Sequence, residues 1–436
     1  MASTAKPTLF PVLMVNFIGT LGYSIIIPFL VFLVDKFGGN EFIYGIMGSV
    51  YPAFQFFGAP LLGRWSDVYG RRRILFLSQA GTLLAWVIFM IALIVPRTSL
   101  IDVDQSVLGS FSLTVPLIIL FLARALDGIT GGNVSVANAY LSDVSNDDNR
   151  KANFGKMAMS SSMGFILGPA LAGLLGATIY EEIVPVGAAI LISVLALVVI
   201  WFRLPESRTN LVKPDLANFK LSKLFASEQK DCYETKDCPE KGVKAVFKIK
   251  YIPFLVVIYF LTFLGFSFFY VSFPIHALKT LQWNAFELGI FFSVLSGMMI
   301  VVQGPLLGWL SKRSSDEVLV CIGSLLLVGN FLLISSPNLT LAYTALGFFA
   351  LGNGLMWPSF LSILAKHAGQ EQQGAVQGVA NSAGSLASII GLIAGGWLYG
   401  SAGNLTFYLA AALIFVIFLL SFYLFKIRQN APIPHE

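Results

Sequence analysis

The sequence predicts an all-α integral membrane protein of twelve transmembrane helices, arranged as two pseudo-symmetric six-helix bundles. Three observations predict it. The 436 residues are 56% hydrophobic and only 12% charged, with a mean hydropathy of +0.78, which is too little charge to cover the surface of a water-soluble domain of this size. The apolar stretches are long: Ala188 to Phe202 carries no charge at all, and about 20 such residues form a helix that crosses roughly 30 Å of hydrocarbon. Finally, one polar stretch occurs twice, each time after the second apolar run of its half.

In chain order, hydropathy places spans at 8-34, 43-62, 74-95, 114-140, 151-178 and 183-203, then at 252-276, 286-308, 317-335, 339-365, 373-400 and 404-426. They read as helices, because barrel strands would alternate in polarity. The first apolar run is too long for a cleavable signal peptide and continues through Pro28. After the second run comes Gly58 to Arg73, with Arg64, Arg71, Arg72, Arg73 and Asp67; it reads as a short loop at the membrane surface. Its weaker copy runs from Gln303 to Arg313, with Ser311 where Asp67 would fall. A second echo links Gly168 to Gly173 with Gly391 to Gly396.

Between the sixth and seventh runs, Leu204 to Lys250 holds ten Lys/Arg and seven Asp/Glu, broken by Pro205, Pro214 and Pro239. Its mixed charge reads as a solvated linker, since a lipid-headgroup or partner site would have its basic residues less diluted by acid. The expected organisation is a bundle over 1-203, a cytoplasmic linker over 204-250 and a second bundle over 251-436.

Basic residues crowd one set of loops, in Arg64, Arg71 to Arg73, Arg150, Lys151, Lys312, Arg313 and Lys366, while the other set holds Lys36, Arg97 and Lys279. The positive-inside rule puts the first set, and both termini, in the cytoplasm. The net charge of +5 is then a topological signal and gives no support to a nucleic-acid partner. Cys232 and Cys238 fall in the cytoplasmic linker, where a disulfide is not expected and no histidine is near enough for a metal site. His276, His367 and His435 lack metal-ligand spacing. With no phosphate-cradling Gly-rich Lys-Ser/Thr loop, neither ATP nor another cofactor is expected, and nothing points to an enzyme.

These motifs carry a family resemblance. Gly63, Asp67 four residues on, Gly70 and then Arg71 resemble the first signature of the major facilitator superfamily, at its usual place after the second span. Leu122 to Gly132, with Arg124 and Asp127, is similar to the second signature, associated with proton coupling. Gly164, Gly168, Pro169 and Gly173 resemble the third, typical of antiporters. Together they look most like the twelve-span drug:proton antiporters of tetracycline-exporter type, in which the first span carries a carboxylate; here Gly19 stands at that position. The resemblance implies two parallel halves with a substrate path between them, a monomer in the lipid bilayer of a bacterial inner membrane, and alternating-access export of a small organic or amphiphilic molecule in exchange for protons. A lipid or glycolipid flippase, a nutrient symporter, or a non-transporting receptor or scaffold are the alternatives.

Arg124 stands out on residue chemistry alone. A guanidinium within a span costs several kcal/mol unless it is paired or faces water, and Asp127, three residues on, shares its helix face. Gly131, Ser135 and Asn138 extend that face. Asp127 either gains and loses a proton beside the fixed charge of Arg124, or the two form a static pair. The resemblance implies that Asp67 meets the N-terminal end of a helix in the other half while Arg71 reaches Asp143, as a conformational latch; the alternative is that these charges only fix topology. Candidate substrate contacts are Asn16, Tyr23, Phe266, Phe269, Tyr270, Gln303, Asn353, Trp357 and Asn381. Among them the amides carry more weight, since an amide facing lipid is unsatisfied whereas most of the 38 phenylalanines must serve packing.

Overall fold

A computed structural model describes residues 9–105, 107–145, 147–176, 178, 182–207 and 246–429. Most of the linker, with Cys232 and Cys238, lies outside them. The first apolar run folds as α1 (Phe10–Ile25) and α2 (Leu30–Lys36), bent by 42° at the break, where Pro28 lacks the N–H and crowds the preceding turn. Asn40 caps α3 (Glu41–Tyr69), its side chain accepting from the Ile43 N–H at 3.1 Å. After Gly70 come α4 (Arg71–Ile94), the antiparallel strands β1 (Ser99–Gln105) and β2 (Gly109–Thr114), α5 (Val115–Thr130), α6 (Asn133–Asp143), α7 (Asp147–Gly176) and α8 (Ile183–Arg203).

The second half contains α9 (Ile252–Lys279) and α10 (Ala285–Val301), the latter started by a capping box in which Asn284 and Glu287 satisfy each other's backbone N–H. A π turn (Val302–Leu306) and α11 (Leu307–Leu310) continue α10, where Pro305 removes a helical donor. Then come α12 (Asp316–Ile334), α13 (Leu339–Ala402) and α14 (Leu405–Gln429).

Among the described residues, ten stretches are long and apolar enough to cross a membrane, eleven if α1 and α2 count as one span; α13 supplies two, Leu339–Ala368 and Val376–Ala402. The twelfth stretch expected from hydropathy is α3. With 29 residues it is about 43 Å long at 1.5 Å per residue, but Gln55, Arg64, Ser66 and Asp67 leave it less apolar than its neighbours.

One local expectation is corrected. The arginine-rich stretch is not a loop: Gly58 to Tyr69 lie inside α3, Arg71 to Arg73 open α4, and Gly70 alone, at φ +98°, turns the chain between them. Polarity marks where a helix leaves hydrocarbon but does not end it; a residue free to adopt positive φ does. Between the third and fourth spans the polar segment folds as a β-hairpin. It turns through Gly109 at φ +74°, with Val103 opposite Phe111.

Close glycine contacts set the helix spacing. Gly164 and Gly168 leave room for Thr20 and Ser24 of α1, while Gly173, further along α7, lies against Gly289 of α10, where an added Cβ would sit 3.1 Å from the Gly289 Cα. One motif therefore packs α7 inside the first half at its start and against the second half at its end. Gly45 of α3 and Gly396 of α13 meet in the same way: a Cβ on Gly396 would lie 2.9 Å from the Gly45 Cα. Both seams between the halves lie within about two turns of the helix ends on the hairpin face. Toward the arginine-bearing face, Gly155, Gly297, Gly304 and Gly308 have open space where a Cβ would be.

Candidate functional site

Arg124 and Asp127 are both buried in α5, with Arg124 Nη1 donating to Asp127 Oδ2 at 3.3 Å. The pair is closed in by rings. Arg124 Cζ lies 4.8 Å from the Tyr51 ring centre and 5.8 Å from that of Tyr23, and the two tyrosines are 4.6 Å apart, with Phe165 of α7 5.9 Å from Tyr23. Cation–π attraction is worth most when both groups are out of water. The pairing is incomplete, because Arg124 Nε has no hydrogen-bond partner among the described residues. Chemically, this is a carboxylate whose charge is held by one guanidinium bond and the Thr82 side chain, beside two aromatic rings. A proton arriving at Asp127 would cancel the charge that Arg124 faces and weaken the bond between them.

The rest of the expected polar stripe turns elsewhere. Gly131 packs on the Tyr51 hydroxyl, the Gly131 carbonyl accepts from Gln55 Nε2 at 3.0 Å, and Ser135 Oγ donates to the Ala59 carbonyl at 2.9 Å. These residues join α5 and α6 to α3. The helix breaks at Gly131 and Gly132, so a face extrapolated from 3.6-residue periodicity does not carry past it.

Arg71, 2% exposed, opens its fork on three partners. Nη2 donates to Asp67 at 2.6 Å, Nε to Asp143 at 3.1 Å, and Nη1 to Ser66 Oγ. The end of α3, the start of α4 and the end of α6 are thus bound at one point, with the planar geometry suited to carboxylates. One participant was not legible in the sequence. Glu206, after α8, accepts from the Arg71 and Arg72 N–H groups at 2.8 and 3.2 Å, capping α4 from a distant segment, and it lies beside Gly70, where a side chain would meet it. Gly63 makes only ordinary contact with Ser135.

The second half has a counterpart of inverted charge. Asp316 opens α12 as Arg71 opens α4, and accepts from Lys366 at 2.6 Å and Ser362 at 2.7 Å in α13. The register of the two copies is corrected by one residue: Ser311 matches Ser66, each hydroxyl donating to the carbonyl of the glycine three residues before it, Gly308 and Gly63, and Lys312 stands where the first half has Asp67.

The candidate substrate contacts divide. Asn16 is buried and tied to α7 through Met157 O at 3.1 Å and Ser161 Oγ at 2.6 Å. Phe269 is fully buried and stacked on Phe349, centroids 4.3 Å apart, whereas Tyr270 is 36% exposed. Trp357 joins Tyr259, Phe263 and Phe266 in one aromatic group. Beside it, Asn381 accepts from Tyr259 at 2.8 Å and from Gln377 at 3.0 Å. Asn353 is buried and its Oδ1 has no partner among the described residues. Gln303, half-buried, sits in the π turn beside Gly354.

The sequence profile of the Major Facilitator Superfamily matches residues 12–392, and again 305–435. The tetracycline resistance protein of class E from Escherichia coli is 27% identical over 403 residues, covering 90% of this chain and 88% of that protein. Major facilitator superfamily domain-containing protein 10 of Mus musculus is 27% identical over 405 residues, covering 90% and 80%. Among solved structures, the human organic anion transporter MFSD10 (TETRAN) superposes with a TM-score of 0.66 at 22% identity, over 95% of this chain and 98% of that one. A D-xylose–proton symporter superposes with a TM-score of 0.71 at 13% identity, over 95% and 96%.

Proposed function

The chain belongs to the Major Facilitator Superfamily, and from that premise we propose that it is a proton-coupled antiporter. It exports a small organic or amphiphilic molecule by alternating access, as a monomer in a bacterial inner membrane with both termini cytoplasmic. Residues 1–203 and 251–436 move as two bodies joined by the 204–250 linker. The observation that carries the reading is the buried Arg124–Asp127 pair, incompletely bonded and walled by Tyr23 and Tyr51. An ionisable pair held at this depth in a membrane helix marks a pathway for charge. Asp127 takes up and releases the proton. Arg124 holds a fixed positive field beside it.

The two seams at the hairpin face and the open space beside glycines toward the arginine-bearing face support a carrier that presents its cavity to the cytoplasm. Substrate reaches it between the Tyr23–Tyr51 wall and the aromatic group around Trp357, where Asn353, Asn381 and Gln303 supply hydrogen bonds. Arg71, Asp67 and Asp143 hold the cytoplasmic ends of the first half in the shape that the opposite conformation latches. Relatives named for tetracycline resistance and for organic anion transport fit a substrate with both apolar rings and polar groups. Each proton crossing about 100 mV supplies about 2.3 kcal/mol.

The test is transport by the purified protein in proteoliposomes with an imposed pH gradient, across lipophilic cations, zwitterions and lipids. Flux that follows the gradient and is lost in Asp127→Asn, with normal insertion, supports the reading. Gradient-independent flux in both proteins would overturn it.

A further inference from the structure

We propose that the β1–β2 hairpin, with Trp397 and the Glu41–Lys279 ion pair, forms the gate that holds the hairpin face of the transporter shut. The proposal rests on the alternating-access reading, and it assigns to that reaction residues outside its signature motifs.

The hairpin is a rigid arm of the first half. Asn40 Nδ2 donates to the Leu108 carbonyl at 2.7 Å, the Ser112 N–H to the Gly38 carbonyl at 2.8 Å, and Thr114 Oγ1 to the Phe37 carbonyl at 2.8 Å. These bonds pin it along its length to the segment that leads into α3. Asn40 works at both ends: its Oδ1 caps α3 while its Nδ2 holds the hairpin, so the arm and the start of α3 move together.

The free end of that arm reaches the second half. Trp397 of α13 donates its indole N–H to the Val107 carbonyl at 2.8 Å, a bond made across 290 residues of sequence. One residue past the cap, Glu41 pairs with Lys279 at the end of α9, which also joins the halves. Beneath both contacts, the Glu41 carbonyl and Gly45 leave no room for a side chain on Gly396. Opening this face requires α3 to leave α13, and that motion cannot occur while the tip is bonded to Trp397 and Glu41 to Lys279. The polar bonds are few and solvent-accessible, with Trp397 39% exposed and the Lys279 side chain 46% exposed. Each contributes about 1 kcal/mol or less, strong enough to bias a two-state equilibrium and weak enough to be broken in every cycle.

The experiment measures opening directly. In a chain with Cys232, Cys238 and Cys321 replaced by serine, Ser49→Cys, one turn below the Gly45–Gly396 contact and buried, reports access from the hairpin face to a membrane-impermeant maleimide. Trp397→Phe is expected to raise its labelling rate about fivefold, and Lys279→Glu, which sets two carboxylates face to face, by a similar factor. The exchange Glu41→Lys with Lys279→Glu restores the slow rate. Val107→Cys and Trp397→Cys, joined by a short cleavable cross-linker, suppress labelling until the linker is cut. Unchanged labelling in Trp397→Phe and Lys279→Glu, or free labelling of the cross-linked protein, would overturn the gate. Labelling does not require flux, so loss of gradient-driven transport in the parent would count against the antiport reading and leave the gate result standing.

Discussion

Arg124 and Asp127 allow a sharp separation of chemistry from architecture. Breaking a buried pair by removing one partner leaves an unpaired charge, at a cost of about 3–5 kcal/mol. Asp127→Asn is therefore expected to lower the thermal stability of the purified protein as well as abolish gradient-driven flux. The double variant Arg124→Gln/Asp127→Asn recovers most of the stability, because no charge remains buried. If the pair is a proton site, flux stays absent in the double variant; if it is a static clamp, flux returns with stability. Melting temperature and flux in the three proteins decide between them. Glu206 is the second informative residue. Its carboxylate accepts the first two N–H groups of α4, where a negative charge is favoured, so Glu206→Ala should cost about 1 kcal/mol and slow cycling while leaving equilibrium substrate affinity nearly unchanged. A binding isotherm beside a flux measurement checks it.

At the level of elements, the informative features are breaks. α3 passes through the arginine-rich stretch and stops at one glycine of positive φ; Gly70→Ala strains that turn and sets a methyl against Glu206, so reduced stability is expected even though the change is small. α5 and α6 part at Gly131 and Gly132, which let α3 lie close against them. α7 has two working faces, Gly164 and Gly168 toward α1 and Gly173 toward α10. Gly396→Leu puts a branched side chain into the α3–α13 seam. It is expected to hold the halves apart at the hairpin face, seen as faster labelling of Ser49→Cys and loss of exchange, while Gly304→Ala, facing open space, leaves both unaffected.

For the whole molecule, the seams and the hairpin give the two faces different roles, and the 204–250 segment is expected to act only as a tether. Replacing residues 208–245 by a flexible linker of similar length should leave flux intact; a scaffold or receptor would lose its role instead. Membrane character, the helical class and the Arg124–Asp127 pairing were legible from composition, periodicity and motif spacing, and the Arg71–Asp143 contact from the family resemblance. All of these follow from local rules: hydrocarbon thickness sets the length of an apolar run, and residues three or four apart share a face. The hairpin, Glu206 as a distant cap, the Tyr51 ring over Arg124, the inverted Asp316–Lys366 clasp and the Trp397–Val107 bond were not legible. Each joins residues far apart in the chain, and nothing in one partner's neighbourhood names the other. The sequence by itself determined that this protein crosses the membrane as helices and pairs Arg124 with Asp127 within one of them, because hydrophobic burial and charge desolvation act residue by residue. Only the tertiary structure decided which glycines become seams, which carboxylate caps α4 and where the two halves touch, because those depend on how helices approach one another, and no single helix encodes that distance.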